Sequence, residues 1–131
     1  MAWSWPPRPD SQEEPPLEFH PQMKIENVIF GVVEWEGVPT TEHAGTIGKA
    51  LWRTVEKGNL RIRMVEYSPG YVADHWCQRG HVLLVLEGEL ITELEDGKLF
   101  TLAVGSSYQV ADGASSHRSR SPKGAKLFIV D

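Results

Sequence analysis

From Met23 onward, apolar and polar positions alternate with a period of two in short runs. The clearest is residues 60–68. Leu60, Ile62, Met64 and Glu66 fall on one face, and Arg61, Arg63, Val65 and Tyr67 on the other. Strands are predicted at 24–35, 51–56, 60–68, 72–77, 81–86, 89–95, 98–102, 107–110, 117–119 and 126–130. Between them lie the breaks Lys57-Gly58-Asn59, Pro69-Gly70, Gln78-Arg79-Gly80, Glu87-Gly88, Asp96-Gly97 and Val104-Gly105. Residues 37–50 read as a polar connection and 111–116 as a loop. No long amphipathic helix is predicted; residues 46–52 make at most a helical turn. Many short strands at near-regular spacing predict an all-β sandwich or barrel.

Residues 1–22 break the pattern. They hold most of the nine prolines, with Ser, Glu and Gln, and repeated proline disfavours both helix and strand. The expected organisation is a disordered tail over 1–22 and one domain over 23–131, as a chain of 131 residues suggests. The net charge of −5 and the lack of a basic stripe argue against nucleic acid or an anionic membrane as partner. Cys77 is the single cysteine, so no internal disulfide forms, and a reducing compartment is expected. Without an apolar run of membrane-spanning length, the expectation is a cytoplasmic protein.

Candidate chemistry gathers at four residues. His75 and Cys77, two apart, share a face if they lie on a strand. His81 follows a three-residue turn at the start of the next predicted strand, and His117 arrives on a later one. Imidazole and thiolate suit zinc, and also iron or copper; four such ligands close a tetrahedral site, and three leave a position open. Taken singly, each histidine is an ordinary polar strand residue and the cysteine a small buried hydrophobe. Together they are three of the five histidines and the sole cysteine. His20 and His43 lie in the tail and a loop and are expected to be solvated. Tyr108 and Arg63 are candidate pocket residues. Arg61 and Arg63 share a face: inward they would clamp a substrate carboxylate, but an outward, solvated pair is the expectation. Asp74 and Trp76 point away from the His75 face. Gly45-Thr46-Ile47-Gly48-Lys49 lacks the spacing of a phosphate loop and has Ala50 where it needs Ser or Thr.

Gly70, His75-Trp76-Cys77, His81 and Gly88 resemble the first motif of the cupin superfamily, a Gly, a His-x-His, a Glu and a Gly. Cys77 stands for the second His, and His81 for the Glu. Gly105, Ala111-Asp112-Gly113 and His117 resemble the second motif, with Ala111 for its Pro and one extra residue before His117. Asp74-His75-Trp76-Cys77 is also similar to the motif naming the uncharacterised DHCW-motif cupin fold proteins, in a different order. The resemblance covers residues 23–131 and implies a small single-domain cupin, a double-stranded β-helix or jelly-roll barrel, with one divalent metal on His75, Cys77, His81 and His117. Softening the usual three-His, one-Glu set with sulfur favours zinc or iron(II) over manganese. Cys77 is either a ligand or a neighbour.

Three functions fit: a metal-dependent enzyme on a small molecule in the barrel, a non-catalytic binding or sensing cupin with a structural metal, or a structural module with an empty barrel. The first is preferred. A homodimer is expected, with residues 24–35 as a segment available for strand exchange.

Overall fold

Nine strands run through residues 23–131, the part of the chain that the computed structural model describes. They are β1 (Thr40–Ala44), β2 (Lys49–Lys57), β3 (Leu60–Tyr67), β4 (Tyr71–Val72), β5 (His81–Leu94), β6 (Leu99–Ala103), β7 (Ser107–Val110), β8 (His117–Ser121) and β9 (Ala125–Val130), preceded by a single 3-10 turn at Trp35–Gly37. The tail expected over residues 1–22 lies outside the described residues. The strands are hydrogen-bonded in the order β1-β2-β3-β9-β5-β8-β4, with β6 and β7 also on β5. All these pairings are antiparallel. The all-β class read from the alternation is the class observed.

β5 holds the barrel together. Its first half pairs with β7 and β9, its second with β6 and β8. The inward face changes parity along it: Leu83 and Val85 are buried in the first half, Leu90 and Thr92 in the second. A register shift between Val85 and Glu87 produces the switch, since one extra residue in a strand of period two exchanges its faces. Gly88 makes the bend possible. Its φ of 76° lies in the left-handed region, and a Cβ there would collide with the Gly124 carbonyl oxygen. The predicted turn at Glu87-Gly88 is therefore a bulge inside one continuous strand. Leu83, Val85, Leu90, Val65, Leu127 and Ile129 form the middle of the core.

Four other expectations change. Residues 46–52 lead into β2 rather than a helical turn, and β1 lies inside the predicted 37–50 connection. Residues 72–77 hold only the end of β4 and an isolated bridge at Cys77. Residues 24–34 form no strand. Their apolar residues are β-formers, but propensity supplies no hydrogen-bonding partner. Ile29 and Phe30 are 89% and 92% exposed. The segment is clasped by Asn59, whose side chain accepts from the Glu26 N–H and donates to the Lys24 carbonyl.

Candidate metal centre and arginine-lined cavity

β3 sets the character of the site. Its Arg61, Arg63, Val65 and Tyr67 face turns inward, and Arg63 is only 6% exposed. The expected outward, solvated arginine pair is thereby overturned. Two features make an inward guanidinium tolerable. Trp52 on β2 lies opposite Val65, and its ring carries the Arg63 guanidinium at 4.4 Å from the centroid. Asp131 follows β9 directly and pairs with Arg61 through both backbone hydrogen bonds. Its carboxylate accepts from Arg61 Nε at 2.7 Å and Nη2 at 3.0 Å, and from Arg63 Nη2 at 3.0 Å. Burial alone would raise the Asp131 carboxyl, but the Arg61 hydrogen bond and the charges of Arg63, Arg61 and Arg79 outweigh it and hold the group below its usual range. Burial, with the like charge of Arg61, pushes the Arg63 guanidinium down, against the pull of Asp131.

Three of the sequence candidates meet beside this network. Cys77, His81 and His117 place one ligand atom each within 4.8 Å of one another. Cys77 and His117 form an isolated antiparallel bridge, and His81 starts β5. His75 does not join them. Its Nδ1 is bonded to Asp74 Oδ1 at 2.6 Å, and its side chain is exposed on the rim of the same cavity. Trp76 packs under Arg118, at 4.5 Å.

The buried atoms fit a metal. His117 Nδ1 lies 2.9 Å from the Ser115 carbonyl and must donate to it. That leaves Nε2 a bare lone pair, buried and without a partner among the described residues, the tautomer a metal-binding histidine takes when a carbonyl orients its other nitrogen. His81 shares a hydrogen bond with Tyr108 through Nε2 at 2.8 Å, while its buried Nδ1 has no hydrogen-bond partner among the described residues and stands 3.8 Å from Asp131 Oδ2. Burial and the adjacent His117 push the His81 pKa down to about 4, so its imidazole is neutral near pH 7. Tyr108, on β7 opposite Leu83, has its phenol pushed up by burial and keeps its proton.

The cavity measures about 280 Å³, just below the usual span of ligand sites, about 300–1,000 Å³. Arg61, Arg63 and Trp52 line it together with His81, His117 and Cys77, and with His75, Arg79 and Arg118. Trp52, Arg79 and Asp131 were not singled out in the sequence. Trp52 and Arg79 carried no motif, and the role of Asp131 depends on register with β3.

No protein-family profile matches the sequence, and no curated protein matches it. Solved structures do. An RmlC-like cupin from Shewanella frigidimarina superposes with a TM-score of 0.57 at 23% identity, covering 81% of this chain and 89% of that one. A predicted oxalate decarboxylase from Thermotoga maritima gives 0.66 at 14% identity, covering 76% and 96%. Fe(II)-HppE with an alternative substrate gives 0.65 at 18% identity, covering 78% of this chain and 60% of that one. The chain folds as a cupin. Within this cupin-like fold the candidate metal group lies inside the barrel wall, where β5, β8 and the Cys77 bridge converge. No helix among the described residues is long and apolar enough to cross a membrane.

Proposed function

We propose that this cupin is a metal-dependent enzyme acting on a small molecule held in the barrel, with one zinc or iron(II) ion on Cys77, His81 and His117. The observation that carries it is the buried, unpartnered Nε2 of His117, grouped with a thiol and a second imidazole against a cavity. Two imidazoles and a thiolate are a borderline-soft set, suited to zinc or iron(II). Such an ion supplies Lewis acidity, or activates water or dioxygen. The chain's own groups do the rest. The Ser115 carbonyl holds the His117 tautomer. Tyr108 keeps a phenolic proton at His81 and is placed to hydrogen-bond a ligand. Trp52, Tyr67 and Tyr71 add aromatic surface to the lining.

Three protein ligands leave a position for substrate, which favours catalysis. His75 on the same cavity rim supports the other reading: as a fourth ligand it would close the site and make it structural or sensing. The exposed apolar side chains of Ile29, Phe30 and Val32 support a homodimer formed through this segment. The single cysteine fits a cytoplasmic setting. The deciding experiment is elemental analysis of wild type beside His75→Ala, Cys77→Ser and His117→Ala. One equivalent of metal is expected in wild type and His75→Ala, and none in His117→Ala. Wild type without stoichiometric metal after reconstitution would overturn the proposal.

A further inference from the structure

Charge does not balance in the cavity. Four arginines line it, Arg61, Arg63, Arg79 and Arg118, and no acidic residue or lysine does. Glu93 pairs with Arg118. The other three guanidiniums share one carboxylate, that of Asp131, and Arg61 engages both its oxygens. Arg63 reaches one oxygen through Nη2, and its buried Nε has no partner among the described residues. Arg79 Nε stands 3.6 Å from the carboxylate, beyond good hydrogen-bonding distance. Arg63 and Arg79 thus keep donors and charge to spare. An under-compensated guanidinium is costly where it is poorly solvated, as at the buried Arg63, and an incoming anion relieves it; Arg79, half exposed, adds positive charge to the same lining.

We infer that the Arg63–Arg79 wall is a carboxylate subsite, taking the acid group of a small molecule whose apolar body lies against Tyr67 and Tyr71. This rests on the cavity being the substrate site proposed above, but not on the metal. Carboxylate is favoured over phosphate by the lining. Planar guanidinium forks suit a planar acid, whereas the lining holds no lysine and no glycine to bring backbone N–H groups to a phosphate. The aromatic walls and small volume suit a compact acid with a flat body. Trp52, already capped by Arg63, holds that guanidinium in place before any ligand arrives.

The test titrates 4-fluorobenzoate, 4-fluorobenzyl alcohol and phenyl phosphate into metal-free and zinc-loaded protein, followed by fluorine NMR or calorimetry. Metal content and melting temperature are measured on the same samples. The expected result is that 4-fluorobenzoate binds about tenfold or more tightly than the alcohol in both forms, the scale of a charge-assisted hydrogen bond. Arg79→Gln weakens it about tenfold without changing melting temperature or metal content. Arg63→Gln weakens it at least as much; if that variant does not fold, Arg79→Gln decides. The proposal is overturned if benzoate binds no better than the alcohol, if Arg79→Gln leaves its affinity unchanged, or if phenyl phosphate binds and benzoate does not. Zinc stoichiometry separates this from the metal proposal: benzoate binding without zinc uptake sinks the metal alone, and the reverse sinks the subsite alone.

Discussion

Cys77 and His117 face each other across an isolated antiparallel bridge, the Cys77 N–H donating to the His117 carbonyl at 2.7 Å and the His117 N–H donating back at 3.0 Å. Backbone rather than side chain therefore sets their spacing, and exchanging the sulfur leaves the scaffold standing. Cobalt(II)-loaded wild type is expected to show a thiolate charge-transfer band in the near ultraviolet. Cys77→Ser is expected to lose that band and bind cobalt more weakly, with an unchanged far-ultraviolet circular dichroism spectrum. A retained band would remove Cys77 from the ligand set.

Gly88 and Gly105 both have positive φ, 76° and 89°, but differ in surroundings. A Cβ at Gly88 meets the Gly124 carbonyl, and one at Gly105 meets nothing within 4 Å. Gly105→Ala should cost about 1 kcal/mol, the left-handed penalty alone. Gly88→Ala should cost more than about 2 kcal/mol, because backbone must also shift at the bulge. Urea unfolding of the two variants side by side checks the order, and equal losses would show that the bulge yields freely.

Leu127 is completely buried between β3 and β5, facing Val65 and Val85. Leu127→Ala should destabilise by about 2–5 kcal/mol. Phe30→Ser, at a side chain that meets mostly solvent, should alter the stability of the isolated protomer by no more than about 0.5 kcal/mol. It should nevertheless shift a dimer toward monomer in light scattering as the protein is diluted. A wild type that is monomeric at every concentration would remove the homodimer.

Asp131 makes stability fall in acid. Its folded-state pKa is below the ordinary value, so the unfolded chain binds the proton more readily. The stabilisation is complete above the unfolded pKa near 4 and is lost as pH drops through the lower folded value. The urea midpoint of wild type should drop below about pH 4. Asp131→Asn should start lower at pH 7 and show a flatter acid limb. Parallel limbs would mean that other carboxylates govern acid unfolding.

The strand pattern, read residue by residue, was sufficient for the all-β class and for most strand positions, because a period of two is a local property of each run. It also put Arg61, Arg63, Val65 and Tyr67 on one face of β3. It did not say which face turned inward. That choice depends on Trp52 arriving from β2 and on Asp131, 68 residues away in sequence from Arg63, arriving beside β9 to compensate the charge. The parity change along β5 was hidden for the same reason, since a bulge shows only against its partner strand. The apolar run at 24–34 shows the converse: local composition favoured a strand, and no neighbour within the described residues paired with it. His75 and Cys77, two apart, would share a face on a strand, but the chain between β4 and the Cys77 bridge is not one. The convergence of Cys77, His81 and His117 is a matter of long-range register, which the chain acquires only when β5 and β8 curl into the same wall.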